Sequence, residues 1–130
     1  MQYMLLIYMD EQAMTPAERQ DCYVESTQLA NDLYARGCYR GCGPLQPVAT
    51  AASIQVREGK RLVTDGPFAE TREQLGGFFL IEAASREEAL AIAERIPAAR
   101  KGTVEVRPMI EVSGLPEVCF GEAEAVGKMK

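Results

Sequence analysis

The 130-residue chain has no histidine, and this absence narrows the chemistry open to it. Histidine is the commonest general base and the usual partner of a serine or cysteine nucleophile. Acid–base chemistry here must therefore use a carboxylate, tyrosine, cysteine or lysine. A zinc site built without histidine needs four thiolates close together, and only Cys38 and Cys42 of the four cysteines are close in sequence. We therefore expect no metal and no organic cofactor.

Basic runs and long apolar runs are also absent. The chain has 14 Lys and Arg residues against 19 Asp and Glu residues, a net charge of −5, which argues against a nucleic-acid partner. Its apolar start, residues 1–9, is far too short to span a bilayer and lacks the basic leader of a signal peptide. Cysteines without such a signal are typical of free thiols in a cytoplasm. We expect a cytoplasmic protein that binds neither nucleic acid nor membrane.

The composition is that of an ordinary globular domain, with 47% hydrophobic and 25% charged residues. A chain of this length fits one domain and can bury one core. We assign residues 1–112 to that domain. Residues 113–130 turn to Gly, Glu, Ala and Lys, and predict a tail that is loosely ordered or packs on a neighbour through Val118, Cys119 and Phe120.

The hydrophobic pattern predicts a strand, a helix, a β-hairpin, a strand, a helix and a strand, in that order. Residues 2–8 have the pattern of a central strand that is apolar on both faces. Thr15 and Glu18 form a capping-box pattern at the start of a helix that extends to about Arg36. The buried stripe of this helix is predicted to be Cys22, Leu29, Ala30 and Leu33.

The middle of the chain alternates between turn residues and β-branched residues. Residues 37–47 are rich in glycine and proline and predict a loop. Residues 48–57 and 60–64 predict a hairpin that turns at Glu58-Gly59. Residues 76–83 predict another strand that is apolar on both faces.

The last third of the chain predicts a helix and a closing strand. Ser85 and Glu88 form a second capping-box pattern, and this helix ends before Pro97. Its apolar face is predicted to be Ala89, Ile92, Ala93 and Ile96. Residues 103–110 predict the final strand, in which Pro108 indicates a sheet edge.

One sheet with both helices on one face accounts for this order most economically, so the predicted fold class is α+β. The strands at residues 2–8 and 76–83 are apolar on both faces, although one helical layer covers only one. A second copy of the chain is the simplest cover for the other face. We therefore expect a homodimer whose sheets pack face to face.

Residues 64–77, Thr-Asp-Gly-Pro-Phe-Ala-Glu-Thr-Arg-Glu-Gln-Leu-Gly-Gly, hold the most suggestive chemistry. Asp65 ends a β-branched run, Gly66 and Pro67 force a turn, and Phe68 supplies an apolar anchor. Partial burial beside Phe68 would raise the pKa of Asp65 and suit it to proton transfer as a catalytic residue. Turn chemistry alone also favours aspartate at this position, as a cap of the following turn.

Six further side chains are candidates for binding a small-molecule ligand, and each has a plainer structural alternative. The charged candidates could orient an anionic ligand or form surface ion pairs, with Glu70 and Arg72 pairing with each other. The aromatic candidates could line a pocket or pack in the core. The six are Tyr8, Phe68, Glu70, Arg72, Phe79 and Arg107.

Several stretches together resemble the YCII-related family, in its DGPF subgroup: residues 4–8, 45–47, 63–77, 95–99 and 104–108. The resemblance covers about residues 1–110. It implies a ferredoxin-like subunit with an antiparallel sheet that pairs into a dimeric α+β barrel. It implies little about the reaction, because most members lack an assigned activity. Relatives include an enzyme that removes chloride from a hydroxylated ring, and the fold is shared with lactone isomerases and monooxygenases. Subgroup members are often encoded near alternative sigma factors, which implies a regulatory setting.

Two departures from the family pattern bear on the site. A Gly-Glu-Gly-Leu pattern is common where this chain has Gly41-Cys42-Gly43-Pro44-Leu45, so a thiol replaces a carboxylate. The better-described relatives pair a histidine with an aspartate, and only the aspartate, as Asp65, carries over to this sequence.

Two functions are compatible with these observations. The first is a cofactor-independent enzyme that catalyses proton transfer, isomerisation or elimination on a cyclic or aromatic acid, with Asp65 as the acid–base group. The second is a non-catalytic ligand-binding or regulatory accessory protein, favoured by the missing histidine and the replaced carboxylate. An enclosed pocket that reaches Asp65 would favour the enzyme, and a filled interior with an exposed motif would favour the accessory protein.

Overall fold

A computed structural model describes residues 1–116. The elements in this range are β1 (Gln2–Met9), α1 (Pro16–Ala35), β2 (Tyr39–Pro44), β3 (Ala52–Arg57), β4 (Lys60–Asp65), β5 (Gln74–Glu82), α2 (Arg86–Glu94) and β6 (Thr103–Pro108). Short 3-10 turns lie at Val48–Thr50 and Pro97–Arg100. The predicted tail contacts through Val118, Cys119 and Phe120 lie outside the described residues.

The main sheet has four strands in the order β2-β5-β1-β6, with every neighbouring pair antiparallel. Both helices pack on one face of it, which confirms the predicted α+β, ferredoxin-like arrangement. On that face Leu5 and Phe79 lie side by side in adjacent strands, and Leu33 of α1 and Ile92 of α2 join them in the core. The alternation of β1 and β5 therefore places every second side chain under the helices.

Local sequence signals determine the helix starts. Thr15 caps α1 through a full capping box: its side chain accepts from the Glu18 amide, and the Glu18 carboxylate accepts from the Thr15 amide. For α2 the structure shows the serine half of the predicted box, in which the Ser85 hydroxyl accepts from the Glu88 amide at 3.2 Å. The predicted apolar face of the second helical segment is confirmed, since Ala89, Ile92, Ala93 and Ile96 are all buried.

The loop predicted at residues 37–47 is wrong, because Tyr39–Pro44 forms the edge strand β2 beside β5. Its glycines indicated a loop, but here they allow close packing of two strands. A Cβ atom added at Gly77 of β5 would lie 2.9 Å from the carbonyl oxygen of Gly43, closer than packed atoms approach. An edge position also tolerates Pro44, which lacks an amide hydrogen.

The hairpin is confirmed, but its predicted place in the main sheet is wrong. Within the described residues, β3 and β4 pair only with each other, as a separate two-stranded ribbon, and β2 takes the position beside β5. The ribbon turns at Glu58 and Gly59, whose φ angles of 50° and 75° are those of a tight hairpin turn. Residues 48–50, predicted as the start of the first hairpin strand, form a 3-10 turn instead.

The sheet face away from the helices remains apolar, as predicted. Met4, Leu6 and Tyr8 alternate with the core residues of β1 and are half-buried, and Phe78 of β5 lies opposite Leu6. The apolar character of both faces is therefore present in the structure. The homodimer inferred from it stays a prediction.

Candidate functional site

A cavity of about 610 Å³ opens between α1 and the helix-facing side of the sheet. Its walls come from α1, the carboxyl end of β1, β2, the start of β5 and the turn at Pro97–Arg100. Small-molecule sites in proteins are typically clefts of roughly 300–1,000 Å³ with mostly apolar walls. The cavity therefore has the size of a ligand site.

The space exists because one stripe of α1 has small side chains. Cys22, Ser26 and Ala30 recur every four residues, so they share one face of the helix, and all three line the cavity. On another stripe of α1, Leu29 and Leu33 are packed in the core. The predicted buried stripe is thus confirmed for its leucines, whereas Cys22 and Ala30 are half-buried and face the cavity.

Aromatic rings and a thiol line the inner wall. Phe79 lies directly opposite Cys42 in the β2–β5 pair, and both side chains line the cavity. The Tyr39 hydroxyl donates a hydrogen bond to the Cys42 sulfur at 3.5 Å. The ring of Tyr34 meets that of Tyr39 edge to face, with centroids 6.2 Å apart. This wall offers tyrosine rings and a hydrogen-bonded thiol to a ligand.

Charged groups of both signs stand at the rim. The Arg19 guanidinium donates to the Glu11 carbonyl oxygen at 3.2 Å, and the Glu11 carboxylate accepts from the Val48 amide at 2.9 Å. Asp10 forms an ion pair with Arg72 at 3.5 Å. Because a guanidinium has five N–H donors, Arg19 can hold Glu11 and still bind an anionic group of a ligand.

Three ion pairs connect α1, which roofs the cavity, to the segment that follows α2. They are Glu18 with Lys101, Glu25 with Arg100, and Asp32 with Arg95. The hydrogen bond from Lys101 is the main reason that the pKa of Glu18 falls from 4.5 to about 2. All three pairs are exposed, so each contributes little to the stability of the fold.

Cys22, on the roof, has its pKa raised above the usual value, mainly by burial and secondarily by the nearby Glu25 carboxylate. It is therefore a neutral thiol at neutral pH, and not a ready nucleophile. Cys22, Cys38 and Cys42 are all free cysteines.

Of the seven predicted site residues, only Phe79 lines the cavity. Asp65 ends β4 and is exposed in the single chain, as is Phe68. The partial burial on which the proton-transfer prediction depends is therefore not provided by residues 1–116 of one chain. The motif reaches the cavity at its other end, through Gln74, Gly76 and Gly77.

The charged candidates lie at separate places. Arg72 forms an ion pair with Asp10, which lines the rim, but does not line the cavity itself. The alternative prediction, a surface pair between Arg72 and Glu70, is wrong. Glu70 is exposed. Arg107 forms an outward ion pair with Glu105 at 3.8 Å on the sheet face that carries Tyr8, away from the cavity.

Sequence reasoning missed most of the residues that do line the cavity, including Arg19, Tyr34 and Tyr39. The four-residue spacing of small side chains in α1 is a sequence signal that indicates the cavity-lining face of this helix. The sequence singles out Cys42 as a neighbour of Cys38 and as a thiol in place of a family carboxylate, and the structure places it on the inner wall of the cavity.

Among residues 1–116, no group of three or more Cys, Asp or Glu side chains is arranged to hold a metal ion. Within the same range, no helix is long and apolar enough to cross a membrane.

Comparison with known proteins places the chain in a family. An uncharacterized protein from Rhizobium meliloti is 39% identical over 118 residues, which cover 84% of this chain and 92% of the relative. Among solved structures, 5-chloro-2-hydroxyhydroquinone dehydrochlorinase from Burkholderia phenoliruptrix, in complex with 2,5-dihydroxybenzoquinone, matches with a TM-score of 0.56 and 15% identity. That match covers 89% of this chain and 100% of the enzyme, and it shows a shared fold. The YCII-related domain matches residues 1–113, and the chain therefore belongs to the YCII-related family.

Proposed function

We propose that this YCII-related protein is a cofactor-independent small-molecule enzyme whose ligand occupies the cavity under α1. The observation that carries the proposal is the cavity itself, about 610 Å³ in volume, with an apolar inner wall and a charged rim. A few polar groups converging on an apolar pocket are the usual form of a ligand site.

The lining favours a cyclic or aromatic acid. Tyr34 and Tyr39 offer ring surfaces for stacking, Phe79 contributes to the apolar wall, and the Arg19 guanidinium at the rim suits a carboxylate or phenolate. The dehydrochlorinase that shares the fold is in complex with 2,5-dihydroxybenzoquinone, which is also a cyclic molecule. Proton transfer, isomerisation or elimination on such a ring needs an acid–base group and no cofactor.

Asp65 remains the proposed acid–base group, and Phe79 is the proposed ligand contact inside the cavity. Tyr8, Phe68, Glu70, Arg72 and Arg107 lie outside the cavity of one chain and are proposed as ligand contacts in the dimer alone. Since Asp65 is exposed in one chain, the proposal requires a second chain to enclose it. We propose that enclosure comes with a homodimer of the dimeric α+β barrel type, formed by residues 1–112, with 113–130 as a tail. The DGPF subgroup and a cytoplasmic setting belong to the same proposal.

A thermal-shift screen of cyclic and aromatic acids tests the ligand site. A ligand at a hundred times its Kd stabilises the folded state by about 2.7 kcal/mol, which is a shift of several degrees for a chain of this size. Ala30→Phe fills the cavity from α1 and should abolish the shift. Val24→Phe, on the exposed side of the same helix, should retain it. Equal shifts in both variants would place the ligand elsewhere.

Turnover of a ligand found in this way tests the acid–base role. Asp65→Asn should remove turnover and leave the thermal shift intact, because the amide keeps the shape and loses the proton-transfer group. Unchanged turnover in Asp65→Asn would end the assignment of Asp65.

The second candidate is a non-catalytic ligand-binding or regulatory accessory protein. One observation favours it: the cavity lies under α1, whereas Asp65 lies at the end of β4 and is exposed. A ligand that binds in the cavity without being converted, in both the parent protein and Asp65→Asn, is the result expected from this candidate.

A further inference from the structure

The ribbon formed by β3, β4 and their turn, here called the arm, carries apolar side chains that the rest of residues 1–116 leaves exposed. Ile54, Val56 and Val63 are 60%, 61% and 54% exposed. The register pairs Ile54 with Val63, so these three side chains lie on one face of the arm. The arm's extensive packing within the described residues is between its own two strands. Because an isolated two-stranded ribbon is marginally stable in water, this face needs a partner.

The same face of the arm carries Asp65. Side chains alternate along a strand, so Asp65 and Val63 of β4 point to the same side, and Ala52 lies opposite Asp65. Leu62, although only one residue from Val63 and 50% exposed, lies on the other face opposite Gln55. Whatever covers the aliphatic side chains of the arm therefore also encloses the proposed acid–base group.

Charge indicates what the partner is. The tip of the arm carries Arg57, Lys60 and Arg61 against the single carboxylate of Glu58, whereas the whole chain has a net charge of −5. The rest of the chain is therefore more acidic than the total, and a basic arm is attracted to the body of another copy. The apolar sheet face away from the helices, with the half-buried Leu6 and Tyr8, is a surface that another copy would bring within reach.

We infer that the arm docks in trans on a second copy of the chain through the face bearing Ile54, Val56 and Val63, and that this contact encloses Asp65. The inference rests on the proposed homodimer and adds that the acid–base site is incomplete in one chain. Two-fold symmetry uses the contact twice, so each subunit completes the site of the other.

A matched pair of variants on the two faces tests the docking. Val63→Lys places a charge on the docking face, and Leu62→Lys places the same charge on the opposite face at similar exposure. In light scattering at micromolar concentration, the parent and Leu62→Lys should give twice the chain mass of 14.3 kDa. Val63→Lys should associate about a hundredfold more weakly, because the change removes an aliphatic contact and buries a charge at two symmetric positions. Circular dichroism checks folding, and Val56→Lys replaces Val63→Lys if that variant does not fold.

The outcomes separate this inference from the dimer on which it rests. If both lysine variants stay dimeric, or if both dissociate equally, docking through this face is overturned while the dimer stands. A monomeric parent overturns the dimer itself.

A second measurement distinguishes docking in trans from folding back onto the same chain. In Val63→Cys and Leu62→Cys, the rate of labelling by a bulky maleimide is followed by mass spectrometry, which separates the new thiol from the native ones. Labelling at position 63 should slow at least tenfold as protein concentration rises through the dimer range, while labelling at position 62 stays fast. Protection at position 63 that does not depend on concentration would overturn docking on a second copy.

Discussion

The four-stranded sheet and the arm are built from similar β-branched and apolar residues, yet they have opposite surroundings. In β1 and β5, Leu5 and Ile81 are fully buried under the two helices. In β3 and β4, Ile54, Val56, Leu62 and Val63 are each at least half exposed. The difference lies in which elements pack on the sheet and on the arm, and not in the types of residue that form their strands. Alternation predicts a strand, whereas burial requires a covering element, from this chain or from another.

The largest expected effect on stability comes from a core substitution in the four-stranded sheet, which the helices cover. Leu5→Ala should lower the free energy of unfolding by about 3 kcal/mol, since it leaves a cavity in the middle of the core. Val24→Ala, on the exposed side of α1, should change it by less than about 0.5 kcal/mol. Urea denaturation followed by circular dichroism measures both. A small effect of Leu5→Ala would mean that the helices do not cover the sheet as described.

A smaller effect is expected at the contact between β2 and β5. Gly77→Ala places a Cβ atom 2.9 Å from a backbone oxygen of β2 and should cost about 2 kcal/mol of stability, because the two strands must move apart. Gly76→Ala is the matched control, since the nearest atom to its Cβ is 3.9 Å away. Equal melting temperatures for the two variants would contradict the close pairing of the edge strand.

A substitution in the exposed arm should change the melting temperature in a way that depends on protein concentration. Ile54→Ala should leave the melting temperature unchanged in dilute protein and lower it by a few degrees in concentrated protein, about 1 kcal/mol, because only a dimer buries the side chain. Leu5→Ala should lower it at every concentration. An Ile54→Ala effect that is the same at all concentrations would show that the arm packs within its own chain.

The smallest effect is expected at the surface of the helical layer. The pKa of Glu18 is lowered from 4.5 to about 2, so its carboxylate stabilises the fold above about pH 4.5 and loses this contribution as pH falls toward 2. Between these values the melting temperature of the parent should fall more steeply than that of Glu18→Gln, and added salt should reduce the difference. Glu94→Gln is the control, because Glu94 forms no ion pair within residues 1–116, and it should follow the parent.

Local signals carried most of the fold prediction. The capping box at Thr15, the apolar spacing of α2 and the turn at Glu58-Gly59 each act within a few residues, and each is present in the structure. The edge strand β2 was missed because its glycines have the composition of a loop. The glycines of β2 allow close contact with β5, which lies more than 30 residues away in sequence, and composition does not reveal such a contact.

The candidate site was less predictable for the same reason. Asp65, Phe68 and Arg72 are neighbours in sequence, and a motif invites the assumption that neighbours form one site. The cavity instead joins α1, β2 and β5, so its residues, such as Cys22, Cys42 and Phe79, come from distant parts of the chain. Phe79 was found because its strand was recognised, and the others had no local signal of comparable strength.

The sequence by itself determined where the helices and most strands begin and end, and that the sheet is apolar on both faces, because hydrogen-bonded caps, turns and side-chain alternation depend on near neighbours. Only the tertiary structure decided that β2 and not the hairpin lies beside β5, and that small side chains on α1 leave a cavity over Phe79. Those outcomes depend on which surfaces meet across the fold, since packing is set by the shapes of residues that are remote in the chain.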